Sequence, residues 1–88
     1  MKIKYLRSLE KDVRKVTDKK VKQKLKLIIE EMEKAEVLDD IPSIKKLAGH
    51  PNAFRMRVGQ YRLGFFFESN TVILSRFVKR NDIYKLFP

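Results

Sequence analysis

The sequence predicts an α+β domain: an N-terminal strand, two helices, then a C-terminal antiparallel meander of three strands, with the helices packed on one face of the sheet. Three observations carry that prediction. "MKIKYL" alternates charged and apolar residues with period two. Val21, Leu25, Ile28, Met32 and Ala35 then recur at helical spacing. Finally, 53–58, 61–68 and 71–78 are strand-like runs separated by the two-residue connections Gly59-Gln60 and Ser69-Asn70.

In chain order, Lys2 and Lys4 against Ile3 and Tyr5 make a short strand with one face to the core. Ser8 is placed to cap a first helix, whose apolar positions are Leu9, Val13 and Val16. Asp18 is placed to cap a second helix that carries the 21–35 stripe, with Lys and Glu opposite. Pro42 biases Ile41 away from helical angles, so the helices end before it. "SIKKLAGHPN" reads as a connector, with Ile44 and Leu47 dipping into the core. "KRNDIYKLFP" is short and has no clear period.

With 88 residues the chain holds one domain, spanning 1–88, and lacking cysteine it has no disulfide or thiolate metal site. No apolar run approaches the roughly 20 residues that span a bilayer, and the charged start does not read as a signal peptide. A soluble, cytoplasmic protein without a membrane partner is expected. The net charge is +10. It is divided as +7 over residues 1–30, −2 over 31–50 and +5 over 51–88. Such an excess favours a polyanion or an acidic protein as partner. A lysine-rich solvated helix is the alternative reading of the first basic region.

The meander contains the chemically informative residues. A turn at Gly59-Gln60 sets Arg57 opposite Arg62, Met56 opposite Leu63 and Arg55 opposite Gly64. Phe54, Met56, Val58, Tyr61, Leu63, Phe65, Phe67, Val72, Leu74 and Val78 then fall on the core face. Arg55, Arg57 and Arg62 fall on the other, with Ser75 and Phe77, while Arg76 reaches out at the apolar edge. Like charges across a strand pair repel, and a phosphate would relieve them by meeting the planar guanidinium fork. In this reading Gly64 leaves space beside Arg55. Alternatively, these are solvent-facing arginines paired with Glu68 or Asp82. There is no Gly-rich phosphate loop, no metal-ligand spacing and no G-x-S-x-G element, so no cofactor is assigned.

"IKKLAGHPNAFRMRVGQYRLGFFF" followed by "VKRNDIYKLFP" resembles the RelE/ParE superfamily of toxins from prokaryotic toxin-antitoxin pairs. The shared pattern is Leu-x-Gly, R-x-R-V-G, Y-R, and then K/H-R-x-x-x-Y. The likeness extends more loosely over the N-terminal strand and helices, and lies nearer the RelE-like messenger RNA interferases. It implies a RelE-like fold and a ribosome-dependent endonuclease that cleaves messenger RNA without metal through 2′-hydroxyl attack. Arg55, Arg57, Arg62, Arg80 and Tyr84 correspond to the family's catalytic positions. Lys79, Lys85, Lys45 and Lys46 are read as RNA contacts. Some nuclease members have lysines where this chain has Arg55 and Arg57, and a permanently charged arginine is a poor base. The resemblance implies that Tyr84 stacks on or orients the nucleotide; supplying or relaying a proton, or simply anchoring the C-terminal segment, are its other readings. His50 reads as a turn residue. The resemblance also implies a cognate antitoxin and operator DNA bound through it. Alternatives are a gyrase inhibitor without nuclease activity, or a degenerate member that only binds its antitoxin.

Overall fold

The computed structural model describes residues 1–88. The elements are β1 (Lys2–Tyr5), α1 (Arg7–Lys15), α2 (Lys19–Lys34), a 3-10 turn (Leu38–Asp40), β2 (Ile44–Lys46), β3 (Ala53–Val58), β4 (Tyr61–Glu68), β5 (Thr71–Lys79) and α3 (Arg80–Leu86). Five strands form one mixed sheet in the order β1-β5-β4-β3-β2. The meander is antiparallel, and β1 returns to pair parallel with β5. A parallel pair requires a crossover, and α1 with α2 supplies it.

The helices cover one sheet face. Leu9, Val16, Leu25 and Met32 pack with Met56, Val58, Leu63, Phe65, Val72, Leu74 and Phe77 in one buried cluster. Burying a side chain such as Phe65 or Phe77 contributes about 1.5–3 kcal/mol. Asp18 caps α2, its carboxylate accepting from the N–H groups of Lys20 (2.9 Å) and Val21 (3.3 Å). Both two-residue turns form: Gly59 has φ +61, and Ser69 and Asn70 have φ +51 and +57. Positive φ at both residues of the second turn, and at the leading Gly59 of the first, matches the right-handed twist of the flanking strands.

Several expectations are corrected. Ser8 does not cap α1; its hydroxyl donates to the Ser75 carbonyl (2.7 Å), while Leu6 stands at the cap position without a side-chain bond. The connector contains β2, and "RNDIYKL" forms α3. An irregularity in the β4–β5 pairing lies at Gly64/Phe65: Phe65 pairs with Leu74, but Gly64 pairs with Arg76. Ser75 is thus an extra residue in β5, and an extra residue reverses the faces beyond it. Phe77 consequently lies opposite Leu63 in the core, Val78 lies opposite Arg62, and Arg76 lies opposite Gly64.

Arg76 reaches α1. Its Nε and Nη2 donate to the Asp12 carboxylate (2.7 and 3.0 Å), which also accepts from the Phe77 N–H (3.0 Å). Asp12 is buried, so one carboxylate on α1 fastens that helix to β5. The second sheet face is partly covered as well. There Ala53, Ile83 and Phe87 form a separate small cluster with Leu47, Phe66 and Val78 against them.

Candidate active site: an arginine cleft beneath α3

The β3–β4 hairpin sets Arg57 directly opposite Arg62, as its turn dictates, and Arg55 opposite Gly64. The antiparallel pairing of β2 with β3 sets Lys45 opposite Arg55. Arg80 and Tyr84 are four residues apart on α3, hence on one side of that helix. Together with Ser43 these side chains line a cleft of about 380 Å³. Six of its seven lining residues are polar in the sense of carrying no apolar side chain, and five are cationic.

Each cation is oriented differently. Arg62 Nη1 donates to the carbonyls of Gly59 (3.1 Å) and Tyr61 (2.9 Å), leaving Nε and Nη2 free of protein acceptors. The Arg55 guanidinium carbon lies 4.9 Å from the centroid of the Tyr84 ring, a cation–π distance. No carboxylate pairs with any arginine of the cleft, because the single ion pair in the protein is Arg76 with Asp12. The expected alternative partners do not serve: Glu68 accepts only from the Asn52 amide (3.5 Å), and Asp82 pairs with none of them.

The concentration of charge perturbs two groups. Desolvation first, and then the neighbouring Arg57, Arg80 and Arg55 charges, push the Arg62 pKa down. The Tyr84 phenol is also pulled below its ordinary value, chiefly by hydrogen bonding to the Arg80 guanidinium, with the Arg80, Arg55 and Arg62 charges reinforcing that and desolvation opposing it. The cleft thus favours negative charge in either form, a bound anion or a phenolate.

The five expected catalytic positions, Arg55, Arg57, Arg62, Arg80 and Tyr84, converge here, and Lys45 joins them. The other expected RNA contacts do not. Lys46 lies opposite Phe54 and lines a separate hollow with His50. Lys79 lies opposite Tyr61 and lines a different hollow, shared with Asp12 and Asp82, rather than the cleft. Lys85 is exposed and follows Tyr84 on α3 outside the cleft lining. Tyr84 is 56 % exposed, so anchoring falls to its neighbours Ile83 and Phe87. Gly64 does not open ligand space beside Arg55: a Cβ there would stand 2.7 Å from the Phe87 ring. Ser43 escaped sequence reading, although a residue directly after Pro42 in a turn is a signal; its φ is +68. A larger hollow of about 610 Å³ lies between α1 and α2, but its lining of Tyr5, Leu9, Val13, Leu25 and Ile29 with mixed charges offers no comparable convergence of one chemistry.

No family model matches the chain. Toxin RelE3 of Methanocaldococcus jannaschii is 37% identical over 89 residues, with 100% of both sequences covered. The chain is also similar to a protein in the RelB-RelE antitoxin-toxin complex from Methanococcus jannaschii, with a TM-score of 0.83 and 34% identity over 97% of this chain and 99% of the other. YafQ from E. coli has the same fold, with a TM-score of 0.67 at 14% identity over 93% and 96% of the two chains.

Proposed function

Because the chain belongs to the RelE family of toxins of toxin-antitoxin systems, we propose that it is a ribosome-dependent endonuclease that cuts messenger RNA in the arginine cleft. The observation that carries this reading is the convergence of four guanidinium groups, none paired with a carboxylate, around one hollow. A phosphodiester with developing negative charge is the complement of that field.

In the proposed reaction the ribose 2′-oxygen bonds to the adjacent phosphorus as the bond to the 5′-oxygen breaks. A 2′,3′-cyclic phosphate and a new 5′-hydroxyl result. The free Nε and Nη2 of Arg62 face the non-bridging oxygens, joined by Arg80; Arg55 and Arg57 add charge stabilisation. The proton of the 2′-hydroxyl passes to solvent. Tyr84, in its phenol form, supplies the proton taken up by the departing 5′-oxygen. A lowered phenol pKa makes it a better donor. Ribosomes enter by holding the message in an attack geometry that a small open cleft cannot impose by itself.

We also propose an antitoxin partner, by analogy with the RelB-RelE antitoxin-toxin complex. An acidic segment that folds onto the cleft face would neutralise it. Co-expression with the neighbouring reading frame should yield a complex that survives purification at moderate salt, and its absence would remove this partner.

Primer extension on a reporter message in a cell-free translation reaction tests the activity. New ends inside codons should appear only with ribosomes, and Arg62→Ala should reduce them about 10²–10³-fold, the loss typical of one oxyanion-stabilising donor. No ends with the unsubstituted protein would refute the nuclease and leave binding without cleavage, to gyrase or to the antitoxin alone.

A further inference from the structure

The cleft is assembled from two bodies with separate anchorage. Arg55, Arg57 and Arg62 stand on β3 and β4, whose opposite face belongs to the main core. Arg80 and Tyr84 stand on α3, which has only seven residues. A helix of that length is marginal without tertiary contacts. It packs onto β5 and β4. Ile83 and Phe87 are its buried or flanking apolar anchors, and they meet Ala53 in a cluster distinct from the main core.

The seat of Phe87 is unusually specific. Its ring lies tilted against Phe66, with centroids 5.0 Å apart. It also lies over Gly64, where an added Cβ would come within 2.7 Å of both Cγ and Cδ2 and 3.0 Å of Cδ1. Real Cβ atoms do not approach that closely, so the ring occupies the place any other residue would fill. Glycine is therefore required at 64 for room; no left-handed backbone angle is involved. Gly64 pairs with Arg55 across the β3–β4 ladder, and Arg55 lies under the Tyr84 ring. Ring, glycine, arginine and tyrosine thus form one continuous contact path.

We propose that Phe87 seated on Gly64 is the positioning element of the cleft, fixing the register of α3 on the sheet so that Arg80 and Tyr84 meet Arg55 and Arg62. Neither residue lines the cleft, and both act through α3. The role in catalysis rests on the nuclease reading; the positioning itself does not. A seat that sets a helix to within an ångström matters to rate, since a 1 Å misplacement costs about 100-fold.

The test is a double-substitution cycle at Gly64 and Phe87 on the full chain, read by the titration of Tyr84. Tyrosine labelled with carbon-13 at Cζ, assigned with Tyr84→Phe, reports that phenol directly. Gly64→Ala and Phe87→Ala should each move Tyr84 toward the ordinary tyrosine value, because Arg80 and Arg55 no longer stand beside it. Gly64→Ala in the Phe87→Ala background should add nothing, since the clashing ring is gone. Phe87→Leu should restore part of the perturbation. Amide resonances of Phe65, Phe77 and Met32 serve as the folding control, and they should be retained because those side chains lie outside the small cluster. In cleavage assays each single variant should lose roughly 10- to 100-fold in kcat with KM little changed. A Tyr84 titration unmoved by either substitution, or additive effects in the cycle, would overturn the proposal. If the titration moves as expected while the unsubstituted protein cuts nothing, the positioning stands and the nuclease reading fails.

Discussion

Arg62 is pinned by two carbonyls of its own hairpin, so its unpaired edge has a set direction before any ligand arrives. Because desolvation and three neighbouring arginines already depress its pKa, the charged form is strained in the free protein. Removing the charge opposite should relieve it: Arg57→Gln is expected to raise stability in urea titrations by about 0.2–0.5 kcal/mol, a value reduced for the exposure of Arg57. The same change should weaken RNA binding. Tyr84 has the opposite sign. Its folded-state pKa lies below the unfolded one, so the associated stability is present above the unfolded tyrosine value and is lost as pH falls through the folded value. In the proposed reaction it donates a proton and so acts in the protonated form. Cleavage should therefore fall as pH rises through the lowered Tyr84 pKa, and Tyr84→Phe should abolish that alkaline limb in a single-turnover pH–rate profile.

Elements differ in how far the sequence revealed them. α2, the two hairpin turns and the Arg57–Arg62 pairing are local consequences of a cap, a stripe and turn chemistry, and all were legible. The β4–β5 register was not, because one extra residue at Ser75 has no turn signal and exchanges Phe77 with Val78 across the sheet. β2 has three residues and α3 seven, too short for a period to show. The convergence of Arg80 and Tyr84 with the hairpin arginines is therefore implied only by the resemblance, and charge alone does not say which face Lys46, Lys79 and Lys85 take. The Asp12 clasp was likewise hidden, since Asp12 and Arg76 are 64 positions apart. Asp12→Ala should destabilise the protein by about 2–4 kcal/mol in denaturant titrations. It strands the Phe77 N–H and a guanidinium that is 24% exposed.

At the scale of the whole molecule, a charge of +10 makes the proposed association with RNA depend on salt. Each phosphate contact contributes about 0.7 to the slope of log K against log salt for a single strand, so Arg55→Gln with Arg57→Gln should flatten it by about 1.4. Fluorescence anisotropy with a short labelled oligoribonucleotide at several KCl concentrations measures this. The return of β1 to β5 has a consequence in time. It pairs residue 2 with residue 71, and α1 is fastened to residues 76 and 77. A ribosome emits the chain from its N-terminus, so β1, α1 and α2 leave the exit tunnel long before the strand that completes their packing. Such distant pairings place folding in the slow range for a small domain, about milliseconds to seconds. The sheet therefore closes only once β5 has been made, and Arg80 with Tyr84, which follow β5 in sequence, join the hairpin arginines later still, so the cleft is the last part of this fold to be assembled.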